Sequence, residues 1–264
     1  MISILISAYN EEKNIEACLT SVLNQTYKDL QVVIINDGST DATQAIVEKI
    51  AEKDTRITLV NNENKGLTKS LNEGLTLCKG TYVARIDGDD VWHKEKLQTQ
   101  FDIMEKENLV LTGTNFDYIN QEGTQIKEAG DVPYTEHEDI LSNFYKINPF
   151  NHSSIVFKRD ALAKEGGYNE RFRYSQDYDF VFRLANQGRV KLINQSLMSR
   201  RITDKIIGQK KRKEQVYYSL IIRWNIIKKQ RIFTFSAFKV LIVDVLRIAI
   251  PEFIYKRLKK NENT

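Results

Sequence analysis

Cysteine is almost missing from this chain of 264 residues: Cys18 and Cys78 are its two, and both fall on apolar positions of predicted helices. A disulfide framework is thereby excluded, and a reducing compartment fits. Histidine is nearly as scarce, with His93, His137 and His152, so a histidine-rich metal centre has no support. The chain has no P-loop, no G-x-G-x-x-G and no G-x-S-x-G. The usual nucleotide fingerprints and the hydrolase nucleophile elbow are not indicated. Internal repeats and low-complexity segments are absent as well. The opening "MISILISAYNEE" has no basic leader, and its apolar run is too short for a secretory signal. It reads as the first strand of a cytoplasmic protein.

What is present is a soluble globular composition, 41% hydrophobic and 28% charged. The net charge of +4 hides an asymmetry. Lys205 to Thr264 carries 15 basic against 4 acidic residues, a net of +11, while Met1 to Asp204 carries −7. An acidic body with a basic tail predicts two units, 1–204 and 205–264, and a tail that meets an anionic surface.

Within the body, strand and helix patterns alternate. "ISILIS" (2–7) reads as a buried strand, and the helix after it places Ile15, Cys18, Leu19 and Val22 on one face. "LQVVII" (30–35) is a continuous β-branched run, as in a strand covered on both faces. A helix with Ala42, Ala45, Ile46 and Ile50 on one side follows, then the strand "ITLVNN". A third helix aligns Leu67, Leu71, Leu75 and Cys78, and "YVARI" (82–86) is the fourth strand. This alternation predicts an α/β fold with a mostly parallel, Rossmann-like sheet flanked by helices. Beyond it the spacing predicts a helix from Trp92 to Lys106, a strand near "VLTGTNFDYI", a helix in "EHEDILSNFYKI" and a strand "SSIVFK". A helix in "QDYDFVFRLANQG" and a last strand "VKLINQ" complete the body.

Ligands of such sheets bind beyond the carboxyl ends of the strands. Here those ends read "SAYNEE", "NDGSTD", "NNENKG" and "DGDD". Asp87, Asp89 and Asp90 are either a glycine-containing turn with surface acids or ligands for a hard divalent cation. Asp37 is free to accept a hydrogen bond from a base or ribose if Ser39, Thr40 or Asp41 caps the next helix. Asp177 and Asp179 open a helix, where the dipole favours an ionised carboxylate. They serve as caps, or one is a base. His152 precedes a strand and is either structural or within reach of a substrate hydroxyl.

Taken in order, "ISILISAYNEEKNIEACLTSVLNQTYKDLQVVIINDGSTD", "NENKGLTKSLNEGLTLCKGTYVARIDGDD" and "GGYNERFRYSQDYDFVFRL" resemble the catalytic domain of glycosyltransferase family 2, of the GT-A fold. The resemblance spans Met1 to about Asp204. It implies that Ala8, Tyr9, Asn10 and Glu12 embrace the base of a nucleotide-sugar, and that Asp37 binds uracil or ribose. It further implies that Asn64, Lys65 and Gly66 line the nucleotide pocket. Asp87, Gly88 and Asp89 match the D-x-D motif, with Asp89 on Mn2+ or Mg2+ and Asp87 near ribose or sugar. Asp177 matches the catalytic base of an inverting displacement. The family's E-D pair is Gln176-Asp177 here, and its late Y-R-x-H pattern is Arg200-Arg201-Ile202-Thr203. Arg201 is left to pair with the diphosphate.

In the tail, "SAFKVLIVDVLRIAI" puts Ser236, Lys239, Asp244 and Arg247 in one helical sector, with Phe238, Leu241, Ile242, Val245, Ile248 and Ala249 facing away. Charge interrupts it too often for a transmembrane span. A helix in the interface of an anionic membrane fits it; a helix packed on the body or a homodimer contact are the other readings. Nucleic acid does not need the apolar face. With the resemblance, these features imply a cytoplasmic enzyme on the inner face of the plasma membrane. It would take a UDP-sugar donor and a saccharide acceptor, lipid-linked, in bacterial surface-polysaccharide synthesis; the same fold acting on a protein or soluble acceptor, or a nucleotide-binding scaffold without transfer activity, are the other readings.

Overall fold

The computed structural model describes residues 1–128, 130–202 and 209–250. Its first half is β1 (Ile2–Ala8), α1 (Ile15–Leu23), β2 (Leu30–Asn36), α2 (Thr43–Ala51), β3 (Ile57–Asn61), α3 (Leu67–Leu77) and β4 (Tyr82–Asp87). The four strands are parallel in the order β3-β2-β1-β4. Ile4, Ile6, Val32 and Ile34 pack with α1 and α2 on one face of this sheet. Leu5, Val33 and Ile35 pack with α3 on the other. Both faces are therefore apolar, which is why the strands read as unbroken hydrophobic runs.

The expected face of α1, Ile15, Cys18, Leu19 and Val22, is buried. On α2 the face is different. Thr43 and Val47 are its buried residues, Ile46 and Ile50 are half-buried, and Ala42 and Ala45 are exposed. Thr43 is drawn inward because its hydroxyl accepts the Glu11 N–H at 2.8 Å and pairs with Asp41. On α3, Leu71 and Leu75 are buried, while Leu67 stays exposed at the first turn.

The second half holds β5 (Val91–Trp92), α4 (Lys96–Glu107), β6 (Leu111–Ile119), β7 (Gln125–Glu128), α5 (His137–Asn143) and a 3-10 turn (His152–Ser154). It continues through β8 (Val156–Lys158), α6 (Ala161–Glu165), α7 (Gln176–Ala185) and β9 (Val190–Arg201). These strands extend the sheet as β4-β8-β6-β9-β5, with β7 on β6. Only β6 and β9 pair in parallel here. The expected helix from Trp92 starts at Lys96, because Val91 and Trp92 form a short ladder with Ser199 and Met198. The last strand runs well past "VKLINQ" to Arg201, held by β6. That extension carries Arg200 and Arg201 to the site.

The expected unit boundary at Asp204 lies outside the described residues. Beyond it, α8 (Gln209–Gln230) and α9 (Phe235–Ala249) form a helical hairpin on the body. Ile222, Ile226 and Ile227 of α8 and Ala237 of α9 join the core that lies under α3, α5 and α7. Asp244 does not sit in an exposed polar sector. It is 1% exposed and ion-paired with Arg223 of α8. The outward face of α9 carries Phe235, Phe238, Ile242, Val245 and Leu246, all exposed. Among the described residues no helix is long and apolar enough to cross a membrane.

Candidate active site

The carboxyl ends of β1, β2 and β4 open into a cleft of about 640 Å3. Its floor is the Asp87–Asp90 turn. Asp87 ends β4 and is gripped by the fully buried guanidinium of Arg85, one contact being 2.6 Å from Nη1 to Oδ2. Ser153 supports it from the 3-10 turn, donating its hydroxyl to Asp87 Oδ2 at 3.1 Å and accepting the Asp87 N–H at 3.0 Å. Burial raises the Asp87 pKa, but Arg85 more than offsets this and holds it at about 2. Among the described residues Asp89 has no such partner. Burial and the charges of Asp87 and Asp90 push it up to about 7. Burial and Asp87 push Asp90 to about 6.

Carboxyl oxygens of Asp87, Asp89 and Asp90 lie within 4.8 Å of one another. An all-oxygen donor set with surplus negative charge suits Mg2+ or Mn2+, which bind through few carboxylates and keep places for phosphate oxygens. The residues present therefore fit the cation that the sequence implied. Glu11 adds to the acidic wall.

Arg173, Arg200 and Lys211 also line the cleft. Sequence reasoning did not find these three cations; it named Arg201 instead. Arg201 lines the cleft but is 8% exposed, and its guanidinium is occupied with main-chain oxygens. It donates to Asp89 O at 2.9 Å and to Asn120 O and Gln121 O at 2.8 Å, while its N–H reaches Asp90 Oδ1 at 3.0 Å. Arg201 thus shapes the Asp89–Asp90 backbone. Alternation along β9 leaves its neighbour Arg200 exposed at the cleft.

Tyr9, Asp37, Asn64, Gly66, Asp87 and Asp89 line the cleft as expected. Asp37 also organises the loop that follows β3. Its carboxylate accepts the Lys65 N–H at 2.9 Å, the Gly66 N–H at 3.0 Å and the Ser70 hydroxyl at 2.8 Å. Ala8, Asn10, Glu12 and Lys65 do not line it. Ala8 is buried in the core. Asn10 and Glu12 tie the first loop to the second, Asn10 accepting the Thr40 N–H at 2.8 Å and Glu12 the Ala42 N–H at 3.0 Å. The Lys65 ammonium pairs with Glu73 at 2.5 Å.

A second cleft of about 410 Å3 shares Asp87, Asp90 and Arg200 with the first. Asp177, at the start of α7, lines it with Asn148 and His152. Asn148 donates to Asp177 at 3.3 Å. Burial raises the Asp177 pKa, opposed by the N–H groups of the helix start and by Arg85. His152 is hydrogen-bonded to the Tyr168 hydroxyl at 2.7 Å, and burial and Arg85 lower its pKa well below the usual value. It is therefore neutral near pH 7.

Two adjoining clefts, one holding the three-aspartate cluster and the other adding Asp177, bear comparison with known proteins. A family model, Glycosyl transferase family 2, matches residues 3–166. The O-antigen biosynthesis glycosyltransferase WbnJ of Escherichia coli is 33% identical over 188 residues, covering 71% of this chain and 72% of that protein. An uncharacterized glycosyltransferase of Haemophilus influenzae is 30% identical over 198 residues, 71% of this chain but 61% of the relative's length. S. aureus TarS 1-349 in complex with UDP-GlcNAc matches with a TM-score of 0.72 at 20% identity, over 93% of this chain and 72% of that one. Mannosyltransferase PcManGT from Pyrobaculum calidifontis in complex with GDP-Man and Mn2+ matches at 0.64 and 18% identity, over 94% and 74%. These two likenesses show the GT-A fold. On the family match over residues 3–166 and the identity to its relatives, the chain belongs to glycosyltransferase family 2.

Proposed function

We propose that the protein moves a sugar, hexosyl or N-acetylhexosaminyl, from a nucleotide-sugar to a hydroxyl of a saccharide acceptor, inverting the anomeric carbon. The observation that carries this is the pair of clefts meeting at Asp87, Asp90 and Arg200, with the carboxylate cluster on one side and Asp177 on the other. Tyr9, Asp37 and the Asn64–Gly66 loop receive the nucleoside. Arg173, Arg200 and Lys211 receive the diphosphate. A divalent cation, Mn2+ or Mg2+, would be held by Asp89 with its neighbours and would neutralise charge on the departing diphosphate. Asp177 takes the proton from the acceptor hydroxyl as it attacks. Arg201 keeps the Asp89 backbone in place through the three carbonyls it holds.

The donor is a UDP-sugar in this reading; the structural neighbours were solved with UDP-GlcNAc and with GDP-Man. The setting is bacterial surface-polysaccharide assembly, as in the name of the E. coli relative. The acceptor is lipid-linked, and the enzyme rests on the inner face of the plasma membrane. The exposed apolar face of α9, with Lys239 and Arg247 beside it, supports this. The basic residues Lys256, Arg257, Lys259 and Lys260 lie outside the described part.

A thermal-shift screen of nucleoside diphosphates and nucleotide-sugars, with and without Mn2+, tests the donor site. One nucleotide class should raise the melting temperature of the wild type in a metal-dependent way, and the effect should vanish in Asp89→Ala. No shift with any of them would defeat the reading.

A further inference from the structure

We propose that the α8–α9 hairpin holds the candidate base in place, with Ser219 and Arg223 as positioning residues for Asp177. The inference rests on Asp177 being the base. Two segments hold that side chain. One is Lys146–Asn148, whose Asn148 donates to its carboxylate. The other is the start of α7, entered through Ser175 at a positive φ of 58°. The hairpin grips both.

Ser219 of α8 lies 2.9 Å, hydroxyl to hydroxyl, from Ser175, which in turn donates to Gln215 O at 3.3 Å. Ser175 O accepts the Tyr178 N–H at 3.0 Å, closing the first turn around Asp177. The left-handed backbone at a serine is uncommon and needs outside support. Here α8 supplies it. The Tyr218 ring, 6.0 Å from Phe172 and 6.4 Å from Tyr174, packs on the chain just before this turn.

Arg223 reaches the other segment. It donates to Lys146 O at 3.0 Å, two residues before Asn148, and its guanidinium sits 5.8 Å from the Tyr178 ring centroid. Asp244 of α9 pairs with it from below at 1% exposure. Tyr178 closes the loop by donating its hydroxyl to Phe144 O. Attachment of the hairpin alone would need only the apolar contacts of Ile222, Ile226 and Ile227. Gln230 and Ser236 add polar contacts at Leu141 O and the Tyr145 hydroxyl, but those of Ser219 and Arg223 fall on the two segments that flank one carboxylate. Displacing a catalytic group by about 1 Å costs on the order of a hundredfold in rate, so a grip of this kind acts on turnover.

The test uses four variants of the full chain: Ser219→Ala, Ser219→Thr, the double variant Arg223→Met with Asp244→Leu, and Asp177→Asn. The double change removes both buried charges, because losing one alone strands the other and risks unfolding. Readouts are kcat, donor KM and the nucleotide-induced thermal shift, taken well below each melting temperature. Ser219→Ala and the double variant should lose about tenfold in kcat while donor KM and the thermal shift hold. Ser219→Thr, which keeps the hydroxyl, should recover most of the loss. Wild-type kcat in Ser219→Ala and the double variant, beside an inactive Asp177→Asn, would overturn the positioning role and leave the base in place. A parallel fall of kcat, donor affinity and melting temperature would reduce the hairpin to a structural prop and equally overturn it. Full activity in Asp177→Asn would remove the base itself, and this proposal with it.

Discussion

Gly38 makes the sharpest stability prediction in the site. Its φ is +73°, and a Cβ built there would lie 2.5 Å from Asn64 N and 3.2 Å from Asn62 O and Asn64 Cα. All three are backbone atoms, so no side chain can swing aside. Gly123 supplies the control: its φ is +84°, but its nearest neighbour is Arg201 Nη1 at 4.0 Å. Alanine at Gly123 meets only left-handed backbone strain, about 1–2 kcal/mol. Alanine at Gly38 meets the same strain and must also push the Asn62–Gly66 loop off Asp37. That endangers the Lys65 and Gly66 N–H bonds to the carboxylate. A hydrogen bond to a charged group is worth about 1.5–3 kcal/mol, so Gly38→Ala should cost about 2–3 kcal/mol more than Gly123→Ala. At roughly 2–4 °C per kcal/mol for a chain of this size, the extra fall in melting temperature is about 4–12 °C. Differential scanning calorimetry on the two variants measures it. Melting temperatures within about 2 °C of each other would refute the claim that loop contact, rather than glycine strain, fixes the site.

Asp177→Asn should retain nucleotide binding and lose on the order of a hundredfold or more in turnover, read by product formation. Because the Asp177 pKa is raised above the ordinary carboxylate 3.8, and a base must be ionised, wild-type kcat/KM should fall as pH drops through a value above 3.8; an acid limb at or below that value would contradict the burial argument. Arg200→Ala should raise donor KM a few-fold with an unchanged melting temperature. Arg201→Ala should lose about 2 kcal/mol as three carbonyls lose their donor and, by freeing the Asp89 backbone, should raise donor KM as well; thermal melts and donor titration would show both. Ile242→Glu on the outward face of α9 should abolish co-sedimentation with phosphatidylglycerol vesicles while leaving the melting temperature in place; undiminished binding would exclude that face as the lipid contact.

Much of this was legible in the sequence where one physical rule dominated. The paired burial of β1 and β2 shows as continuous apolar runs, and the i, i+3, i+4, i+7 spacing of α1 names its buried face. Elsewhere two rules competed. Alanine is small enough for either face of a helix, so Ala42 and Ala45 misled while Thr43, bonded to Glu11 and Asp41, went inside. β9 continues past the irregularity at residues 194–195 because β6 pairs with it again from Ser196 to Arg201, a fact no local pattern carries. Arg200 and Arg201 are adjacent on a strand and both line the cleft; which one keeps a free guanidinium there depends on the carbonyls that the fold brings to Arg201. Asp244 looked solvent-facing because its partner Arg223 lies on another helix. Lys211 reaches the cleft only because the tail folds back.

Asp87, Asp90 and Arg200 line both clefts, and this shared wall has a kinetic consequence. If the first cleft takes the donor and the second the acceptor, as proposed, a cation and diphosphate in the first would offset the carboxylates that both clefts share before an acceptor meets them. The proposed reaction would then run in a compulsory order, donor before acceptor, with the spent nucleotide the last to leave. The shared wall also ties the evolution of the two preferences together: no residue of the common wall can be retuned for a new acceptor without altering how the donor is held.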